Sequence, residues 1–152
     1  MTKEADDNQV EILLIEDNHH EAELTMRSLK KNHLTNKLIH IDDGAEAVDF
    51  LFSKGKYADK EIPMPRLILL DLKLPKIDGL EILRRLKADD RTKIIPVVVL
   101  TSSQEEKDVI ESYALGVNSY IVKPVNFESF ANSISEIGMY WMVLNQDPYS
   151  SS

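Results

Sequence analysis

The chain of 152 residues contains no cysteine, so it can form no disulfide, thiolate metal site or catalytic thiol. Basic side chains are in the minority, since 18 Lys and Arg against 26 Asp and Glu give a formal net charge of −8. This charge opposes binding to a nucleic acid backbone or to an anionic membrane surface, and we expect neither as a direct partner. An acidic site that recruits a cation stays open.

Long hydrophobic runs are also missing. The longest apolar run, residues 139–144, is far shorter than the ~20 residues that a membrane-spanning helix requires. The first residues are polar and acidic, without the basic start and apolar stretch of a secretory signal. We therefore expect a cytoplasmic protein. The length predicts one domain, 10–144, between disordered tails at 1–9 and 145–152.

Glycine is scarce, and the five glycines are isolated from one another. Neither a dinucleotide-binding fingerprint nor a Walker loop occurs. The sequence therefore offers no cradle for a stably bound nucleotide.

Apolar runs rich in β-branched residues alternate along the chain with longer stretches whose apolar residues recur every three or four positions. The expected strands lie at 10–16, 37–41, 66–71, 96–101 and 118–122. Three of them are apolar at consecutive positions, which is typical of parallel strands buried on both faces. The pattern predicts a doubly wound α/β fold, with helices on both faces of a five-stranded parallel sheet.

Polar side chains stand where four of these runs end: Glu16 and Asp17, Asp71, Thr101, and Lys123. In open α/β sheets the functional crevice lies beyond the carboxyl ends of the strands. With a strand order of 2-1-3-4-5, the first and third strands are neighbours about 4.8 Å apart, and Asp17 lies beside Asp71. Two carboxylates this close repel one another, which favours a hard divalent cation such as Mg²⁺. Lys123 and Thr101 can reach the same volume.

A metal, a carboxylate, a lysine and a hydroxyl at one point suit phosphoryl transfer, in which the carboxylate can be the acceptor. Two alternatives are a Mg²⁺-dependent phosphatase with an aspartate nucleophile and a flavin-binding module of the flavodoxin type. The phosphatases usually carry a second aspartate two residues after the first, where this chain has Lys73. A flavin phosphate would be repelled by Glu16 and Asp17.

Four segments resemble the receiver domain of two-component response regulators, a likeness that extends over essentially all of residues 10–144. They are ILLIEDN at 12–18, LLDLKLPKIDG at 69–79, PVVVLTS at 96–102 and YIVKP at 120–124. The resemblance implies a flavodoxin-like receiver fold and a phosphoacceptor signalling protein that catalyses only its own phosphorylation and dephosphorylation. Around Asp71 and from 52 to 66, the chain is most similar to the stand-alone regulators of cyanobacterial and bacterial phytochrome histidine kinases.

The resemblance also implies roles for the strand-end residues. Asp71 would accept a phosphoryl group from a phosphohistidine on a sensor histidine kinase, here a phytochrome. Mg²⁺ would be held by Asp17, Asp71 and the main-chain carbonyl of Lys73, with Glu16 also serving the metal. The family most often has two aspartates in its first acidic pair, and because Glu16 is one methylene longer, its contact with the metal can run through water.

Four further positions follow from the same resemblance. Lys123 would contact the phosphoryl oxygens, and its peptide bond to Pro124 would be cis, a form that only X-Pro bonds adopt cheaply. Thr101 would move towards the phosphoryl group while Tyr120 changes its rotamer. This pair would bias a two-state equilibrium of the surface formed by the fourth helix and the fifth strand.

The last predicted helix, from about Phe127, continues into a segment that is apolar on every side. One face of a helix cannot bury such a segment, so we expect an exposed patch for self-association. Its members are Met139, Tyr140, Trp141, Val143 and Leu144. The sequence therefore predicts a homodimer through the last helix.

Overall fold

A computed structural model describes residues 12–31, 38–60, 64–74, 77–102 and 107–136. Within them, five strands alternate with five helices. The elements are β1 (Ile12–Ile15), α1 (His19–Lys31), β2 (Leu38–Ile41), α2 (Gly44–Phe52), β3 (Leu67–Asp71), α3 (Gly79–Ala88), β4 (Val97–Thr101), α4 (Lys107–Ala114), β5 (Ser119–Val122) and α5 (Phe127–Glu136). A short 3₁₀ turn, Gly55–Tyr57, follows α2. The two expected tails and the patch at 139–144 lie outside the described residues.

The five strands form one parallel sheet in the order β2-β1-β3-β4-β5, which confirms the predicted fold. The register pairs Ile15 of β1 with Leu70 of β3. The next residue on each strand therefore brings Glu16 alongside Asp71. On the other side, Thr101 of β4 pairs with Val122 of β5, the residue before Lys123. One edge of the sheet thus collects the predicted polar residues.

Both faces of the sheet are covered, because successive strand side chains point to opposite sides. One face packs on α2 and α3 through a buried cluster that includes Leu13, Leu70 and Val99. The other packs on α1 and α5 through a second cluster that includes Leu14 and Phe130. Burying each aliphatic or aromatic side chain of this size stabilises the fold by about 1.5–3 kcal/mol. Strands buried on both faces therefore consist of consecutive apolar residues.

Polar caps set where three helices begin, all at the edge of the sheet that carries the site. Asn18 accepts the Glu21 N–H at 2.9 Å at the start of α1. Asp43 accepts the Ala45 N–H at 2.7 Å before α2, and Asp78 accepts the Leu80 N–H at 2.8 Å before α3. Each cap satisfies an N–H group that the helix itself leaves unpaired. None of the described helices has the length and hydrophobicity needed to cross a lipid bilayer.

Gly79 allows α3 to begin directly against the backbone that carries Asp71. A Cβ at this position would lie 2.5 Å from Leu72 Cα and 2.6 Å from the Asp71 carbonyl oxygen. The Gly79 N–H also donates to the Leu72 carbonyl at 3.1 Å. Only glycine fits this approach without moving the backbone beside Asp71.

Candidate functional site

Three carboxylates meet at the carboxyl edge of β1 and β3. Glu16, Asp17 and Asp71 each place an oxygen within 4.8 Å of the other two. The side chains of Glu16 and Asp71 are only 1% and 3% exposed, whereas Asp17 is half-buried. Oxygen ligands of this kind suit a hard divalent cation, and the donor set fits one.

The electrostatics of the cluster favour the same conclusion. Burial raises the pKa of Glu16 to about 8, with help from the hydrogen bond and the negative charge of Asp71. The charge of Lys123 and the Asn18 N–H, which donates to Glu16 Oε2 at 3.2 Å, act in the opposite direction but are weaker. Without a cation, these surroundings therefore favour the protonated form of Glu16. A divalent ion would take the place of that proton.

Lys123 follows β5 and extends its ammonium into the cluster. Its Nζ lies 2.7 Å from Glu21 Oε1, 3.2 Å from Glu16 Oε1 and 3.3 Å from Asp71 Oδ2. Burial disfavours the charged amine, but the hydrogen bond to Glu21 and the charges of Asp71 and Glu16 outweigh this effect and raise the pKa of Lys123. The lysine is therefore charged throughout the physiological range.

Main-chain hydrogen bonds beside Asp71 and Lys123 hold these two residues at the strand ends. The Lys73 N–H donates to Asp71 Oδ1 at 3.1 Å, while the side chain of Lys73 is exposed. The Lys123 N–H donates to the Thr101 carbonyl at 2.8 Å, and the Lys123–Pro124 bond is cis. Asp71 is thus held by its own loop at one oxygen and faces Lys123 with the other.

The two predicted switch residues occupy different places. Thr101 ends β4 and is 1% exposed, at the same edge as the carboxylates. Tyr120 lies on β5, half-buried, and meets Tyr113 of α4 edge to face with ring centroids 5.9 Å apart. Tyr120 therefore links β5 to α4. Whether these residues move remains a prediction.

Two residues of the site were missed from the sequence. Glu21 forms the shortest of the three contacts of Lys123, and His40 Nε2 donates to the Glu16 carbonyl at 2.7 Å. The sequence did carry a signal for Glu21. Asn18 is a capping residue, and a glutamate three residues later is the pattern of a helix start, here directly after the acidic pair. His40 carried no such signal, since only the pairing of β2 with β1 brings it to Glu16.

A cavity of about 320 Å³ opens beside Lys123, between the start of α1 and the loops after β4 and β5. Its walls include His20, Glu21, Leu24, Ser102, Lys123 and Pro124. Lys123 therefore lies between this cavity and the carboxylate cluster.

The parallel sheet with strand order 2-1-3-4-5 and the acidic cluster with its lysine define the receiver class of α/β proteins. Residues 12–135 match the response regulator receiver domain family, and the chain belongs to this family. Neither an aspartate phosphatase nor a flavodoxin-type flavin module, the two alternatives left open by the sequence, finds support among its relatives.

Two curated relatives cover most of the chain. Response regulator Rcp1 of Synechocystis is 43% identical over 131 residues, which are 86% of this chain and 88% of Rcp1. The probable methanogenesis regulatory protein FilR2 of Methanothrix harundinacea is 40% identical over 137 residues, 90% of this chain and 86% of FilR2.

Three solved structures share the fold at substantial sequence identity. The bacteriophytochrome response regulator RtBRR has a TM-score of 0.81 and 48% identity, covering 94% of this chain and 86% of its own. The Mn²⁺-bound form of Rcp1 has a TM-score of 0.67 and 41% identity, covering 88% of each chain. The phosphorylated cyanobacterial phytochrome response regulator RcpA has a TM-score of 0.68 and 37% identity, covering 90% of each.

Proposed function

We propose that Asp71 of this response regulator accepts a phosphoryl group from a phosphohistidine on a sensor histidine kinase in the cytoplasm. The protein then passes the signal on through protein contacts. One observation carries the proposal: the ammonium of Lys123 lies 3.3 Å from Asp71 Oδ2, inside a buried group of carboxylates. The solved structure of RcpA, a relative of this chain, is described as phosphorylated, which supports the assignment.

In the transfer step, a carboxylate oxygen of Asp71 forms a bond to phosphorus as the P–N bond to the donor histidine breaks. The electron pair of the broken bond returns to the imidazole nitrogen. Because the other ring nitrogen of the phosphohistidine carries a proton, the ring leaves as neutral imidazole. The positive charge of Lys123 stabilises the negative charge on the phosphoryl oxygens. The Lys73 N–H keeps the Asp71 carboxylate oriented towards the site.

We propose that Asp17, Asp71 and the main-chain carbonyl of Lys73 hold Mg²⁺, with Glu16 contacting it directly or through water. The three carboxylates within 4.8 Å of one another support this assignment. The Mn²⁺-bound form of Rcp1 indicates that a relative binds a divalent cation. When bound, the ion would neutralise charge on the phosphoryl oxygens.

The kinase that we propose as the partner is a phytochrome. Both RtBRR and RcpA are described as phytochrome response regulators, and RtBRR shares 48% of its aligned sequence with this chain. A direct test mixes the chain with a phosphorylated bacterial phytochrome kinase and follows loss of label from the kinase. Transfer that is no faster than to an unrelated receiver domain would contradict the pairing.

We further propose that Thr101 and Tyr120 transmit the phosphorylated state to the surface formed by α4 and β5. Two contacts support this path, one between β4 and the end of β5 and one between β5 and α4. The Thr101 carbonyl accepts the Lys123 N–H, and the ring of Tyr120 packs on Tyr113 of α4. A shift of Thr101 towards the phosphoryl group would therefore act on β5 and, through it, on α4.

The predicted homodimer through residues 139–144 stays a proposal from the sequence. Sedimentation at micromolar concentration is expected to give the mass of a dimer, and truncation after Gly138 is expected to give a monomer. A full chain that sediments as a monomer, with no change of mass on truncation, would exclude this interface.

The phosphorylation itself is tested by intact-mass spectrometry after incubation with Mg²⁺ and acetyl phosphate. We expect one phosphoryl adduct that is labile to alkali and absent from Asp71→Asn. Asp90→Asn is the matched control, because the side chain of Asp90 is 93% exposed and lies outside the site. A folded chain that forms no adduct would contradict the proposal, and steady turnover of a phosphomonoester would indicate a phosphatase instead.

A further inference from the structure

We infer that Glu21 restrains phosphorylation by holding the ammonium of Lys123, and so acts as a positioning residue for the transfer to Asp71. The inference rests on the proposed function of Asp71. It concerns a residue outside the carboxylate cluster, on the first turn of α1.

The start of α1 explains why the Glu21 carboxylate is available. In a capping box, the acid three residues after the N-cap reaches back to the backbone N–H of the cap residue. Here the cap is Asn18, and its N–H donates to Glu16 Oε2 at 3.2 Å instead. The Glu21 N–H still donates to the Asn18 side chain, which holds the turn in place. The Glu21 side chain is therefore directed to Lys123 and not to its own helix.

The ammonium of Lys123 has three N–H donors, and three carboxylates lie within hydrogen-bonding distance of it. A phosphoryl group on Asp71 would add oxygens that need the same donors. The contact with Asp71 can pass to the phosphoryl oxygens, but moving the ammonium towards them weakens its contact with Glu16 or with Glu21. The contact that can be given up is the one whose carboxylate reaches water.

Exposure singles out Glu21 as that carboxylate. Its side chain is 42% exposed, against 1% for Glu16 and 3% for Asp71. Glu21 can turn to solvent when the lysine leaves, whereas Glu16 and Asp71 are enclosed by the protein and cannot exchange the lost contact for water. Yet its contact is the shortest, at 2.7 Å. Transfer therefore requires Lys123 to leave a close partner, and this requirement slows the reaction.

Three variants test this role: Glu21→Gln removes the charge, Glu21→Asp keeps the charge but shortens the reach, and Glu23→Gln is the matched control. Glu23 lies on the same helix, is 65% exposed and pairs with Arg27 at 3.5 Å, away from Lys123. The rate of adduct formation on Asp71 with acetyl phosphate and Mg²⁺ is measured for each, together with the thermal midpoint of unfolding.

We expect Glu21→Gln to be phosphorylated about threefold to tenfold faster than the wild type, the range set by a partly exposed charged pair. Glu21→Asp should show most of this increase, because its carboxylate falls short of Lys123. Glu23→Gln should match the wild type, and all midpoints should agree. These results would show that the faster phosphorylation comes from losing the Glu21–Lys123 contact and not from a change in the stability of the fold.

Two outcomes would overturn the inference. Equal or lower rates for Glu21→Gln would show that the ion pair does not restrain transfer. A wild-type rate for Glu21→Asp would show that the charge acts on the incoming donor at a distance and not through Lys123. A wild-type chain that forms no adduct would instead contradict the proposed function of Asp71, so the two failures are distinguishable.

Discussion

Leu70 in the interior of the sheet and Asp71 at its carboxyl edge are both shielded from water but differ in their neighbours. Leu70 is buried and packs among aliphatic residues, whereas Asp71, the next residue, is also buried but faces Glu16 and Lys123. Burial stabilises the first side chain and penalises the charge of the second. Within one residue, the strand therefore changes from stabilising the fold to carrying a site that costs stability.

Truncating the interior gives the largest expected effect. Leu70→Ala should lower the free energy of unfolding by about 2–5 kcal/mol, because it removes buried methyl groups and leaves a cavity beside the site. Urea denaturation followed by circular dichroism measures the loss. If Leu70→Ala lowers the free energy of unfolding by less than about 1 kcal/mol, burial of Leu70 does not stabilise the fold as expected.

Binding of a cation should reduce the loss of stability that comes from burying carboxylates at the carboxyl edge of the sheet. Mg²⁺ at a hundred times its dissociation constant should stabilise the fold by about 2.7 kcal/mol, because it binds only the folded arrangement of carboxylates. Asp17→Asn should reduce this gain, and the exposed control Asp90→Asn should retain it. Equal gains in both variants, measured by thermal unfolding with and without EDTA, would place the ion elsewhere.

The smallest expected effect is a pH dependence from Glu16. The ordinary pKa of 4.5 is raised to about 8 in the folded chain, so between these values the folded state binds a proton that the unfolded state has released. Without divalent ions, stability should therefore fall by about 1 kcal/mol from about pH 7 to about pH 8. Glu16→Gln should remove most of this slope. An unchanged slope in the variant would assign the dependence to another group.

Much of the fold and part of the site could be predicted from the sequence, because they depend on local patterns. Consecutive apolar residues such as Leu67 to Leu70 indicate a buried parallel strand, and the polar residue that ends it marks the edge. The structure brings Glu16, Asp71 and Lys123 together at that edge, as the strand order implies.

The rest depends on tertiary placement that no local pattern encodes. Glu21 reaches Lys123 only because α1 starts beside the loop after β5, and these residues are 102 positions apart in the chain. The expected first strand, 10–16, is Ile12–Ile15 in the described part of the chain, which excludes residues 10 and 11. Glu16 follows the strand, and its N–H still donates to the Ile41 carbonyl of β2 at 3.2 Å.

The contact between Lys123 and Glu16 joins residues 107 positions apart, one directly after the first strand and the other directly after the last. A chain that has paired only its first four strands has both aspartates and the glutamate in place but lacks the lysine. The site is thus completed by the strand that leaves a ribosome last. Lys123 therefore completes the site only when β5 has paired with β4.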